Sequence, residues 1–375
     1  MMIDLRRSIA LAVLIAGAPA LGAQSVFDSE LRLGPQIVQY RINTPVNETI
    51  TELALPVFVS APLGSRLTMD VGTSYSRARV ERAGAVSQIS GLTDTQIRGN
   101  LALGTDFIVL TAGVNLPTGQ STVTAEQVEA AGRIGSDFLA FPISNMGTGL
   151  ATTAGMAIAR PFGDWNIGFG GAVRHSSLYE PFAINGQPLR FQPGDEYRAR
   201  LGVDRTLGSG RVALGVTFSA FGSDAANGSL YNTGDRIIAQ GSMTSQTIAG
   251  DLVVAAYNVF RAPGNYASGD PAGRENIANL YLSLGIPMSG TRLEPSLELR
   301  HYLQNVPGGG VTADRQQTSM LGTAAVRARM EVVGLTVYPS VGYTVGSLAT
   351  VDAANVPARA SLTGYRAQLA VRLGP

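Results

Sequence analysis

The sequence predicts an all-β protein, a transmembrane antiparallel β-barrel of about 16 strands, and three observations carry that prediction. Apolar residues recur with a period of two through most of the chain, as in strands with one apolar and one polar side. Charged residues make up only 15% of the 375 positions and mean hydropathy is +0.14, whereas soluble domains carry about 25% charge. After the N-terminus, no apolar run approaches the roughly 20 residues of a membrane helix. A chain destined for lipid without such helices satisfies its backbone only as a closed barrel.

Residues 1–23 have the form of a cleaved secretory signal: Arg6 and Arg7, the short apolar run Ile9 to Ala16, then Ala18-Pro19-Ala20 or Leu21-Gly22-Ala23 as cleavage site. Residues 24–375 are then a single barrel. Export of such a chain predicts the outer membrane of a diderm bacterium, with membrane lipid, lipopolysaccharide and the outer-membrane assembly machinery as partners. All 28 basic residues are Arg, a mark of codon bias, and a net charge of +1 with no basic cluster gives no case for nucleic acid. Cysteine is absent, which removes disulfides, thiolate metal sites and a cysteine nucleophile. With two histidines and no phosphate-binding loop, the sequence predicts no metal or cofactor site.

Strands follow in order. Leu33 to Ile42 is irregular and ends near Thr44-Pro45. Ile50 to Ala61 sets Leu53, Leu55, Val57 and Val59 on one face, and Pro62 to Ser65 turns the chain into Arg66 to Arg79. In Thr93 to Leu103, Asp94, Gln96, Arg98 and Asn100 oppose Thr95, Ile97, Gly99, Leu101 and Leu103. Gly104-Thr105-Asp106 turns it back through Phe107 to Leu116, and Pro117 ends the pairing.

Residues 117–148 are the longest early loop. Thr124-Ala125-Glu126-Gln127 fits a capping box and predicts a short helix from Ala125 to Ala131. Phe138-Leu139-Ala140-Phe141-Pro142 is apolar without alternation, so this loop is expected either to fold into the barrel mouth or to pack on itself.

The hairpins then resume: Thr152 to Arg160 with Trp165 to Ser177, Tyr197 to Arg205 with Val212 to Phe218, and Arg236 to Thr247 with Leu252 to Arg261. Ala278 to Ile286 pairs with Leu293 to Leu299, Met320 to Met330 with Leu335 to Val345, and Thr363 to Leu373 is last. The first strand and the 236–261 hairpin alternate least clearly, and 14 strands is the alternative count. Tyr197 to Arg205 fixes the two faces, because Arg198 and Arg200 at two-residue spacing suit a lumen and are costly on a lipid face. Residues 178–194, 222–234 and 262–275 are expected to be loops, at the end opposite the short turns.

The run Gly91-Leu92-Thr93-Asp94, a strand pair and Leu116-Pro117-Thr118-Gly119 resembles a pattern of the outer-membrane transporters of phenol meta-pathway degradation, distant relatives of the long-chain fatty-acid transporters. The resemblance covers about 30 residues. It implies a barrel that passes small hydrophobic or aromatic molecules by diffusion. Such barrels usually end in an aromatic residue, and here the last strand ends Val371-Arg372-Leu373-Gly374-Pro375.

The candidate solute path comprises Asp94, Arg98, Phe138, Phe141, Arg174, Arg198, Arg200, Glu298, Arg300 and Arg327. Mixed charges on a lumen wall pair with one another for structural reasons, while an excess of Arg also favours anionic or aromatic solutes through carboxylate and cation–π contacts. The expected function is a passive channel, not an enzyme. One alternative is an outer-membrane lipid hydrolase. His175-Ser176-Ser177 is similar to the lipid A deacylase motif, with Val173 where Phe is expected and Glu180 as a candidate acid. The other is a structural or adhesive barrel without transport.

Overall fold

Successive strands pair in chain order and the last returns to the first, so the sheet closes on itself. The computed structural model describes residues 31–373 except 44, 46, 105–106, 185, 308–314, 333–334 and 352–356. Residues 1–30, which include the expected secretory signal, and the two C-terminal residues lie outside the described residues.

Eighteen ladder segments form sixteen antiparallel strands, because two strands are each interrupted once. β1 is Leu31–Leu33 and Gln36–Asn43, broken at Gly34-Pro35 where proline cannot donate to the ladder. β2 (Glu48–Pro62) and β3 (Leu67–Arg82) precede β4, which is Ala85–Leu92 and Thr95–Leu103. β5 (Ile108–Leu116) leads to a helix, α1 (Val128–Ile134), then β6 (Ala151–Phe162), β7 (Trp165–Ser176), β8 (Glu196–Leu207) and β9 (Gly210–Phe221). β10 (Arg236–Thr247), β11 (Gly250–Arg261), β12 (Glu275–Met288) and β13 (Thr291–Val306) follow. β14 (Arg315–Val332), β15 (Leu335–Val351) and β16 (Pro357–Leu373) complete the barrel.

The pleat sorts the side chains. Leu53, Leu55, Val57 and Val59 of β2, Trp165, Ile167, Phe169 and Val173 of β7, Leu214, Val216 and Phe218 of β9, and Val341, Tyr343 and Val345 of β15 are all exposed on the outer face. In water so large an apolar surface would drive association; in a bilayer it is the required lining. The band has an upper edge: on β3, exposed Tyr75 is followed on the same face by exposed Arg77, Arg79 and Glu81.

Short turns such as 163–164, 208–209 and 289–290 close one end, and the connections 117–150, 177–195, 222–235 and 262–274 crowd the other. Two expectations need correction at the crowded end. The 177–195 and 222–235 connections are not plain loops: Phe191–Gln192, Asp224–Ala226 and Ser229–Tyr231 make a three-stranded sheet that ties them together. The helix also starts three residues later than its capping box predicts. Gln127 Oε1 accepts the Thr124 N–H at 3.1 Å, as in a capping box, but Thr124–Gln127 form a turn ahead of α1.

Candidate functional site in the lumen

The site begins with a register change. Tyr75 of β3 faces Leu92 and Gly72 faces Gln96, so Thr93, Asp94 and Thr95 oppose only Thr73 and Ser74. This is a β-bulge, held by Thr93 N–H donating to Ser74 O (2.7 Å) and Ser74 N–H donating to Thr93 Oγ1 (2.9 Å). One extra residue shifts the inward set from Ser87 and Ile89 above it to Asp94, Gln96, Arg98 and Asn100 below it.

Asp94, buried at the bulge, holds both ends of the 117–148 connection. Its Oδ1 accepts the Gly119 N–H (3.1 Å), and its Oδ2 accepts the Thr148 N–H (2.7 Å) and the Asn115 Nδ2–H (2.9 Å). Thr118 Oγ1 receives the Thr95 N–H at 2.8 Å, which locks the Gly91-to-Asp94 and Leu116-to-Gly119 segments together. A Cβ at Gly119 would lie 2.0 Å from Met146 O and 2.6 Å from Asp94 N, so only glycine fits.

Between these anchors the chain enters the barrel and packs on the inner wall. Ala130, Ile134, Phe138, Leu139, Phe141 and Met146 are buried against Val38, Tyr40 and Ile42 of β1, Ile50 of β2, Val80 of β3, Leu321 of β14 and Leu362 of β16. Phe138 stacks on Tyr302 of β13 (centroids 5.3 Å), and Phe141 meets Tyr40 edge-on (5.3 Å). Carbonyls that leave regular structure here find donors: Arg300 Nη1 donates to Phe138 O (2.7 Å) and Tyr40 OH to Leu139 O (3.2 Å). Arg133 pairs with Glu48 at 2.6 Å, and the Ile143 N–H donates to Glu52, which also accepts from Ser76 Oγ (2.7 Å). Beneath the segment Arg300 pairs with Glu298 (2.5 Å), which also accepts from Asn279 (2.6 Å). A cavity of about 20 Å³ bounded by Tyr40, Ala140, Glu298, Arg300 and Arg366 has room for one water at most, so the segment packs closely on the wall at this point.

The facing wall differs. Arg174 of β7, Arg198 and Arg200 of β8, and Arg236 of β10 point inward with one carboxylate among them, Glu196. Arg198 grips Glu196 through Nη2 at 2.8 and 2.9 Å, and Arg236 reaches it at 3.5 Å while lying over the Phe221 ring. Inward arginines around the barrel keep substantial exposed area, 23% at Arg236, 30% at Arg98, 37% at Arg327 and 40% at Arg366, so solvent space reaches them.

The candidate residues therefore fall into three groups. Phe138 and Phe141 belong to the inserted segment, and Asp94, Arg300 and Glu298 meet it from the wall or lie beneath it. Arg174, Arg198 and Arg200 share the facing wall. Arg98, paired with Asp70 at 3.1 Å, and Arg327, whose Nε donates to Glu294 at 2.6 Å, belong to separate wall networks nearer the short-turn end. Glu48, Glu52, Tyr302, Glu196 and Arg236 join the site without being among the residues expected from the sequence. The inward period-two run Glu48, Ile50, Glu52, Ala54 is the signal that points to the first two.

His175 lies on the outer face above the apolar band, and its Nδ1 meets Asp195 Oδ1 at 2.7 Å. The carboxylate at this histidine is that of Asp195, not of Glu180, whose backbone carbonyl accepts from Thr122 Oγ1. Among the described residues no hydrogen bond joins Ser177 to His175.

In the extracellular-type loops, Tyr179 packs edge-on against Phe191 (5.6 Å). Burial, reinforced by Tyr231 and the carboxylates of Asp94 and Asp224, pushes its phenol up to about 12.

A closed antiparallel sheet with an apolar girdle and a charged, solvent-accessible interior defines a porin-like outer-membrane β-barrel, in contact with membrane lipid. No protein-family model matches the chain, and no curated protein matches it. Solved structures similar in course include the outer membrane protein OpdK from Pseudomonas aeruginosa (TM-score 0.46, 8% identity, 92% of this chain and 98% of that one). CdiB from Acinetobacter baumannii has TM-score 0.46 and 8% identity over 92% of this chain, which spans 60% of its length. An outer membrane channel from Pseudomonas putida F1 has TM-score 0.37 and 12% identity, with 93% and 98% covered. Likeness at this level carries no argument about activity, which rests on the barrel's own geometry.

Proposed function

We propose that the barrel is a passive outer-membrane channel for small solutes, hydrophobic or aromatic ones foremost, and that the 117–148 segment shapes its entrance. One observation carries the proposal: the segment packs on β1–β3 and β13–β16, while inward arginines away from it retain exposed area in the lumen. A passage therefore runs beside the segment, along the wall of β7 to β10. Phe221 beneath Arg236 offers an aromatic and cationic surface there, and the likeness of the Gly91-to-Asp94 and Leu116-to-Gly119 segments to the phenol meta-pathway transporters supports aromatic solutes. In this scheme Asp94, Phe138, Phe141, Glu298 and Arg300 hold the segment, Arg174, Arg198 and Arg200 line the passage, and Arg98 and Arg327 keep the wall in shape.

Proteoliposomes test it. Purified protein should release small entrapped solutes that the bilayer itself retains, such as arabinose or benzenesulfonate, faster than protein-free liposomes, and deletion of Ala125 to Phe141 should raise the rate and relax the size limit. Solute retention equal to that of empty liposomes, with no change on deletion, would reject transport.

A further inference from the structure

We propose that the wall formed by β7, β8 and β10 binds small organic monoanions, carboxylates above all, as they cross; this rests on the channel function proposed above and narrows its substrate class. Elsewhere on the lumen wall, charge is matched locally. Asp70 takes Arg98, Glu294 takes Arg327 with Arg292 shared between it and Asp251, and Glu298 takes Arg300 and Arg366; at the short-turn end of β8 and β9, Asp204 takes Arg211 (2.9 Å). Buried or half-buried charges need such partners, and these pairs explain themselves as structure.

The β7–β10 wall breaks that rule. Glu196 stands in register with Arg174, and Arg198 and Arg200 follow it on the same face of β8, with successive rungs spaced roughly 7 Å apart. Arg236 faces Ser219 of β9, which in turn faces Arg198. Four guanidinium groups thus have one carboxylate within bonding distance, both of whose oxygens Arg198 already takes, while Asp137 of the inserted segment lies near Arg236 and pairs with Arg261 at 3.8 Å. Arg174 and Arg200 make no hydrogen bond or ion pair among the described residues. Guanidinium forks match a carboxylate with two parallel hydrogen bonds, and fixed charge on a low-dielectric wall focuses its field into the lumen. Arg174 lies near Tyr179 at the loop end and Arg200 deeper, so an anion passed from one to the other moves along the passage rather than settling in a closed site. The Phe221 ring beside Arg236 gives an apolar or aromatic body somewhere to lie while its carboxylate is held.

Planar-bilayer recording across a potassium chloride gradient reads the selectivity directly. The wild-type channel should prefer chloride over potassium by about threefold or more, and the Arg174→Gln/Arg200→Gln variant should approach no preference. Potassium benzoate should reduce the chloride current of the wild type and leave that of the double variant nearly unchanged. Glu196→Gln, which releases Arg198 and Arg236, should move selectivity the other way; it and the two single variants decide the matter if the double variant does not assemble. Conducting channels that prefer cations, or that keep their anion preference in the double variant, overturn the anion wall while leaving the channel function standing. Absence of any current in the wild type overturns both.

Discussion

The Asp94 carboxylate accepts the backbone N–H of Thr148 at 2.7 Å while its other oxygen accepts that of Gly119. A single inward side chain on β4 thereby fastens the beginning and the end of the segment inside the barrel. Charge-assisted bonds to backbone donors are the stronger kind, and each donor is left unpaired if the carboxylate goes.

Asp94→Ala should therefore cost about 1–3 kcal/mol and free both ends of the segment. Limited proteolysis would report the second effect, with new cleavage within residues 117–148. Protection equal to the wild type would mean that the hydrophobic packing alone retains the segment.

Gly119→Ala tests the same junction sterically. A Cβ there would overlap Met146 O and Asp94 N, whereas one at Gly132 meets nothing within 4 Å. The first substitution should loosen the segment, as judged by proteolysis; the second should leave cleavage unchanged. Equal behaviour of the two would refute the tight junction.

Phe138 is the aromatic anchor, stacked on Tyr302 and 5% exposed. Phe138→Ala should destabilise the folded barrel by about 3–5 kcal/mol if the segment and wall unfold together. Guanidinium unfolding in detergent measures it. A shift below about 1 kcal/mol would show that the segment lets go of the wall before the barrel opens.

Tyr179 carries a pH prediction. Its folded pKa lies above the ordinary phenol value near 10, so the neutral form is favoured by the fold. Its contribution to stability is complete below about pH 10 and is lost as pH rises through about 12. The phenolate absorbance missing from Tyr179→Phe should accordingly appear near pH 12; appearance near pH 10 would contradict the buried setting.

Much of this barrel is legible in the sequence, and the exceptions have physical causes. Sixteen strands can be found because lipid on one side and charge on the other enforce a period of two, most plainly at Arg198 and Arg200. Ala85–Leu92 does not read as part of β4, since the bulge at Thr93 and Asp94 puts Ser87 and Ile89 out of phase with Arg98. The helix is displaced because a capping-box turn needs only local bonds, while α1 is fixed by Ala130 and Ile134 against the wall. Glu48 and Glu52 gain their meaning from Arg133 and Ile143, more than eighty residues away, and no local pattern records that pairing. Arg236 stays hidden because β10 alternates weakly.

Single-channel recording of wild-type protein beside the Ala125-to-Phe141 deletion tests the central claim most directly. A lumen partly filled by a segment anchored at Asp94 predicts discrete conductance steps from the wild type and distinctly larger steps from the deletion. Silence from both, with the barrel intact on a heat-modifiability gel, would contradict it.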